Sequence, residues 1–175
     1  MIVLSLLNIQ HKFRGITMAI QLQKKAPINA IEVVSQHDDA VDAEGSNWEE
    51  YKSTGDISKL KFIPGKQPTI FLCNFAMKGH EAASLKNSML GGTDDEGKPQ
   101  VAFGTWSFRA VKYCLKDIKN PDGMAEDTKL VFKKDEKGYA HDDLLATLES
   151  LGIINEIFGM YTSLALGGVK GNAKN

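Results

Sequence analysis

Two apolar runs, Leu60–Ile63 and Thr69–Met77, stand either side of Pro64-Gly65-Lys66-Gln67-Pro68. Pro64 fixes φ at the first corner of a turn, and Gly65 supplies the positive φ that the second corner of a type II turn takes. In the second run Thr69, Phe71, Cys73, Phe75 and Met77 alternate with Ile70, Leu72, Asn74 and Ala76. Both sets are largely apolar, so Thr69–Met77 predicts an interior strand covered on two faces. It specifies a core and no chemistry.

A chain of 175 residues is long enough for one domain with a core of its own. Its hydrophobic content of 42% and charged content of 25% are those of a soluble globular protein. The net charge of −1 argues against a surface coated in one sign for nucleic acid or anionic lipid, while leaving room for a local basic patch. Cys73 falls in the interior strand and Cys114 in a predicted helix. Neither sits in a loop-stapling pattern, so both read as reduced, intracellular thiols.

The flanks read differently from this centre. Met1–Ile9 is a short apolar run followed by His11, Lys12 and Arg14, the reverse of the charge order in a signal peptide. It also falls short of the ~20 apolar residues that cross a bilayer. Met18-Ala19 reads equally as an ordinary start, which would make Met1–Thr17 an extension that adds little to the fold. Ile28–Val34 reads as a short strand; Glu32 to Glu50 then carries Asp38, Asp39, Asp42, Glu44 and Glu49 with no Lys or Arg, and predicts an exposed, mobile acidic arm pinned by Trp48 and Tyr51.

Downstream, His80–Leu90 has helical composition and Gly91–Pro99 that of a polar loop. Phe108, Val111, Leu115 and Ile118 share one face of a predicted helix, with Thr105 as its N-cap and Asn120-Pro121-Asp122-Gly123 as its stop. Thr128–Phe132 reads as a strand and Asp135-Glu136-Lys137-Gly138 as a turn. His141–Leu166 is helical with an interruption at Gly152, which fits two helices or one kinked helix, and Gly167–Asn175 should fray. The expected architecture is α+β: a small antiparallel or mixed sheet centred on Thr69–Met77, packed with two or three helices. Residues 1–52 form the extension and acidic arm, 53–166 the domain, and 167–175 a flexible tail.

No catalytic constellation emerges. His37-Asp38-Asp39 and His141-Asp142-Asp143 contain metal-ligand types, but adjacent side chains diverge and cannot converge on one ion. Asp142 and Asp143 have an ordinary role at the positive end of a helix dipole. His80-Glu81 at a helix start reads as capping or solvated rather than as an acid–base pair. Gly91-Gly92 lacks the residues of a phosphate-binding loop. No cofactor or metal is expected. Arg109, Lys112, Lys116 and Lys119 form a basic stripe at helical spacing, with Trp106 and Tyr113 interleaved. Such a stripe can hold phosphates and stack bases, and it equally describes the solvated face of an amphipathic helix.

Three features then combine: GDISKLKFIPGKQPTIFLCNF, an F-x-x-W-x-x-R-A helix, and a late leucine-rich helix before a tail. Over roughly Thr54 to Leu166 this layout resembles the small accessory proteins encoded among the morphogenesis genes of tailed bacteriophages, the tail assembly chaperone-like kind most of all. The resemblance implies a non-enzymatic protein of the host cytoplasm that binds other phage structural or assembly proteins, or a second copy of itself, and needs no membrane. It transfers no individual residue. The alternative from the residues alone is a nucleic-acid-binding protein working through the basic stripe.

Overall fold

A computed structural model describes residues 28–93, 99–121 and 130–167. In chain order the first elements are β1 (Ile31–Val33), β2 (Val41–Asp42), α1 (Trp48–Thr54), β3 (Lys61–Phe62), β4 (Ile70–Cys73) and α2 (Gly79–Ser88). There follow β5 (Leu90–Thr93), β6 (Pro99–Val101), α3 (Phe103–Cys114), β7 (Leu115–Lys119), α4 (Asp142–Ser150) and α5 (Ile153–Leu164). The fold is α+β. The Met1–Ile9 run, the Met18 start and the tail beyond Gly167 lie outside the described residues, as do residues 94–98 and 122–129.

The predicted central strand is the middle of a three-stranded antiparallel sheet of order β1-β4-β7. It is shorter than Thr69–Met77, and its faces are unequal. Thr69, Phe71, Cys73 and Phe75 are buried, whereas Ile70, Leu72 and Asn74 are half-covered. Past Cys73 the chain still makes sheet-like bonds, Asn74 N–H to the Cys114 carbonyl at 2.8 Å and Phe75 N–H to the Ile28 carbonyl at 2.6 Å. Before it, Lys66 N–H closes on the Ile63 carbonyl at 3.1 Å with Gly65 at φ 83°, the expected turn.

The helices complete the core. α5 packs against α1, α3 and α4, and α3 against α2. The Tyr161 ring meets Phe75 edge-on at 5.7 Å, tying α5 to the end of β4. Gly152 takes φ 76°, so the late helical region is two helices, α4 and α5, joined at a residue that needs the left-handed conformation.

The acidic arm is a correction. The short strand is present as β1, an edge strand of the main sheet, but Val34, Ala40 and Val41 beyond it are also buried with Ile31 and Val33, so the packed body includes this stretch and is not confined to residues from Ser53 on. Asp38, only 2% exposed, holds the arm down. Its Oδ1 accepts from Ala40 N–H and its Oδ2 from Thr69 N–H, both at 2.8 Å, the latter across 31 residues. Acid density does predict solvation, but a carboxylate that accepts two buried amides is a structural acceptor. Tyr51 finishes the job from α1. Its hydroxyl accepts from Val34 N–H and donates to the Glu32 carbonyl, each at 2.9 Å, occupying the outer edge of β1 where another strand would otherwise add. Burial pushes the Tyr51 phenol well above its ordinary pKa, so it stays protonated and can donate.

Four further expectations change. The helix at Phe108 begins from Ala102 as N-cap, not Thr105, and ends at Cys114. Leu115 and Ile118 are buried from strand β7, not from a helical face. Leu90–Thr93 and Pro99–Val101 pair as a two-stranded ribbon where a loop was expected. Leu130–Phe132 is not in a strand; the adjoining hairpin carries one isolated bridge, Lys134 to Ala140.

Candidate functional site

The change from helix to strand at Leu115 separates the predicted basic stripe. Arg109 and Lys112 lie on α3, Lys116 and Lys119 on β7. Lys112 Nζ is shared by Asp142 at 2.7 Å and Asp135 at 3.2 Å, and these carboxylates raise its pKa. Lys119 pairs with Glu32 at 3.1 Å, across β4 from β7 to β1. Lys116 Nζ donates to the Tyr113 carbonyl at 2.7 Å and lies 5.9 Å from the Tyr139 ring centre. Arg109 is exposed and has no hydrogen-bonding or ion-pair partner among the described residues.

The interleaved aromatics also part. Trp106 stacks edge-on with Phe158 of α5 at 4.8 Å and with Phe103 at 6.0 Å. Phe103 closes the cluster against Phe158 at 5.3 Å, yet the residue is 54% exposed. The buried Trp106 Nε1 has no acceptor among the described residues. Tyr113 instead faces α2, where its hydroxyl meets Ser84 Oγ at 2.8 Å.

Arg109 and Tyr113 open onto a cleft of about 650 Å³ between α2, α3 and the hairpin at 134–140. The hairpin is built by Asp135. Its Oδ1 accepts from Lys137 N–H and Tyr139 N–H, each at 2.9 Å, while Gly138 takes φ 83° to close the turn. The Tyr139 amide first, then Lys112, hold the Asp135 carboxyl below its ordinary range. Lys112 thus clamps the hairpin and the start of α4 to α3. Tyr139 meets Tyr113 edge-on at 5.0 Å, and its hydroxyl lies 3.1 Å from His80 Nε2. Lys134 and Lys137 flank the cleft from the hairpin, and no ion pair engages either among the described residues. Sequence spacing missed these two lysines because the hairpin brings them beside α3 from more than twenty positions away, as ~1.5 Å per residue along one helix never would.

The remaining candidates have structural roles. In the first His-Asp-Asp triplet Asp38 is the buried acceptor, and His37 is exposed with Glu156 Oε1 at 3.9 Å. In the second, His141 is the N-cap of α4, its Nδ1 accepting from Asp143 N–H at 3.2 Å, and Asp142 binds Lys112. Glu81 is buried and accepts from Lys78 N–H at 2.7 Å, capping α2. Cys73 and Cys114 are buried free thiols, and burial pushes the Cys73 thiol up, away from the reactive thiolate. Among the described residues no group of three or more His, Cys, Asp or Glu side chains is placed to hold a metal ion. No helix among them is long and apolar enough to cross a membrane.

Compared with known proteins, the chain matches no family model, no curated protein and no solved structure.

Proposed function

We propose that this chain is a non-enzymatic, tail assembly chaperone-like phage protein that binds other phage proteins during virion assembly in the host cytoplasm. The supporting observation is Phe103. The residue is 54% exposed, on an aromatic cluster shared by α3 and α5. An aromatic held in water at low conformational freedom is what a protein partner uses as an anchor. Phe103 and Trp106 are also the first two members of the F-x-x-W-x-x-R-A pattern that carries the phage resemblance. Apolar surface of this kind suits transient shielding of an aggregation-prone tail component such as a tape measure protein. The nucleic-acid alternative asks four cations for phosphate contacts, and three of them already have partners within the chain.

Co-expression with the tail proteins of the encoding phage, followed by pull-down on the full chain, tests this. A tail component should be retained at physiological salt, since buried apolar contact is scarcely screened. Phe103→Ser should weaken retention by roughly 30-fold, the loss of one aromatic anchor. Retention that ignores Phe103→Ser would refute the assigned surface. Capture of oligonucleotide in place of any tail protein would refute the function.

A further inference from the structure

We propose that the cleft between α2, α3 and the 134–140 hairpin binds a phosphate-bearing ligand of nucleotide size, gripped by Arg109 with Lys134 and Lys137. Its volume of about 650 Å³ lies within the ~300–1,000 Å³ of small-ligand pockets. The charges at the cleft fall into two sets. Lys112 is paired with Asp135 of the lining and with Asp142 beside it, and both Asp135 oxygens are taken, one by two amides and one by Lys112. Asp135 is therefore engaged by Lys112 and the hairpin amides, and no ion pair joins it to Arg109, Lys134 or Lys137 among the described residues. Arg109, Lys134 and Lys137 remain without ion-pair partners among the described residues, opposed at the lining by Glu136.

Three cations from two elements suit a group with several charged oxygens better than a single carboxylate, and the Arg fork can take two of those oxygens at once. The walls are fixed in advance. Tyr113 is held by Ser84, Tyr139 by His80, and the two rings brace each other at 5.0 Å. Their edges offer apolar contact to a base or sugar beside the phosphate. The cleft shares no side chain with the Phe103 cluster, so this site stands independently of the assembly function.

Isothermal titration of the full chain with inorganic pyrophosphate, AMP and a single-stranded oligothymidylate, at low salt, reads the site directly. Saturable binding of at least one probe is expected, with Arg109→Gln weakening it at least ~10-fold. Lys134→Gln/Lys137→Gln should weaken it similarly, and Phe103→Ser should leave it unchanged. Arg109, Lys134 and Lys137 are all exposed, so an unaltered melting temperature will separate lost binding from lost folding. AMP binding tighter than the oligothymidylate identifies the ligand as a free nucleotide. The reverse order, with a steep salt dependence, identifies it as a strand, and both uphold the site. No saturation by any probe up to roughly 1 mM, or affinity unchanged in both variants, overturns it.

Discussion

Replacing Tyr51 by Phe removes one oxygen atom and leaves two backbone groups, the Glu32 carbonyl in β1 and the Val34 amide just past it, without their partner. The ring keeps its volume, its burial and its edge-on contact with Trp48 at 5.8 Å, so packing changes little. Val34 is 2% exposed, and its orphaned N–H should cost ~1–3 kcal/mol. Glu32 is half-covered, so water can take over at its carbonyl for a loss of no more than ~1 kcal/mol. The expected destabilisation is about 2 kcal/mol, or ~4–8 °C in melting temperature for a chain of this size. Urea unfolding should show the midpoint moving at constant slope. Amide exchange supplies the local check. Val34 should lose protection, while Val33, on the β4 side of the strand, keeps it until global unfolding. A change below ~0.5 kcal/mol, or a Val34 amide still protected, would refute the claim that the hydroxyl closes this edge.

Phe71→Ala should cost ~3–5 kcal/mol, because its ring is fully buried at the centre of β4; an unchanged melting midpoint would contradict that placement. Asp135 should titrate below the ordinary 3.8, as followed by the Lys137 and Tyr139 amide shifts. With the folded pKa depressed, its support for the hairpin is complete above the unfolded value and disappears as pH falls through the folded one. A midpoint at or above the ordinary value would show that the two amides and Lys112 do not hold the carboxylate.

What was legible in the sequence was local. The Pro64-Gly65 turn, the buried Phe71–Cys73 alternation, the Asp135–Gly138 turn and the break at Gly152 each rest on residues within a few positions of one another. The burial of Asp38 is not legible locally, because what decides it is the Thr69 amide, far along the chain, and charge density carries no trace of it. The spacing of Leu115 and Ile118 fits a continued helical face. A two-residue alternation would have marked them as strand, but the register shift at Leu72/Cys73 puts an irregular step opposite them and erases it. The stripe failed as a single face for that reason, whereas the cleft needed the hairpin's long-range packing to exist at all.

The same irregular junction has a mechanical meaning. α3 ends at Cys114 and β7 begins at Leu115, so no loop lies between the helix that carries Phe103 and an outer strand of the main sheet. A tug on the Phe103 end finds no slack there and passes along the chain straight into β7. Ladder bonds lie across their strands. Tension along β7 therefore strains the Ile70–Lys119 and Leu72–Asp117 pairs together rather than peeling them one at a time. Phe103 and the β7 ladder stand at the two ends of one helix, Phe103–Cys114, with no loop between them.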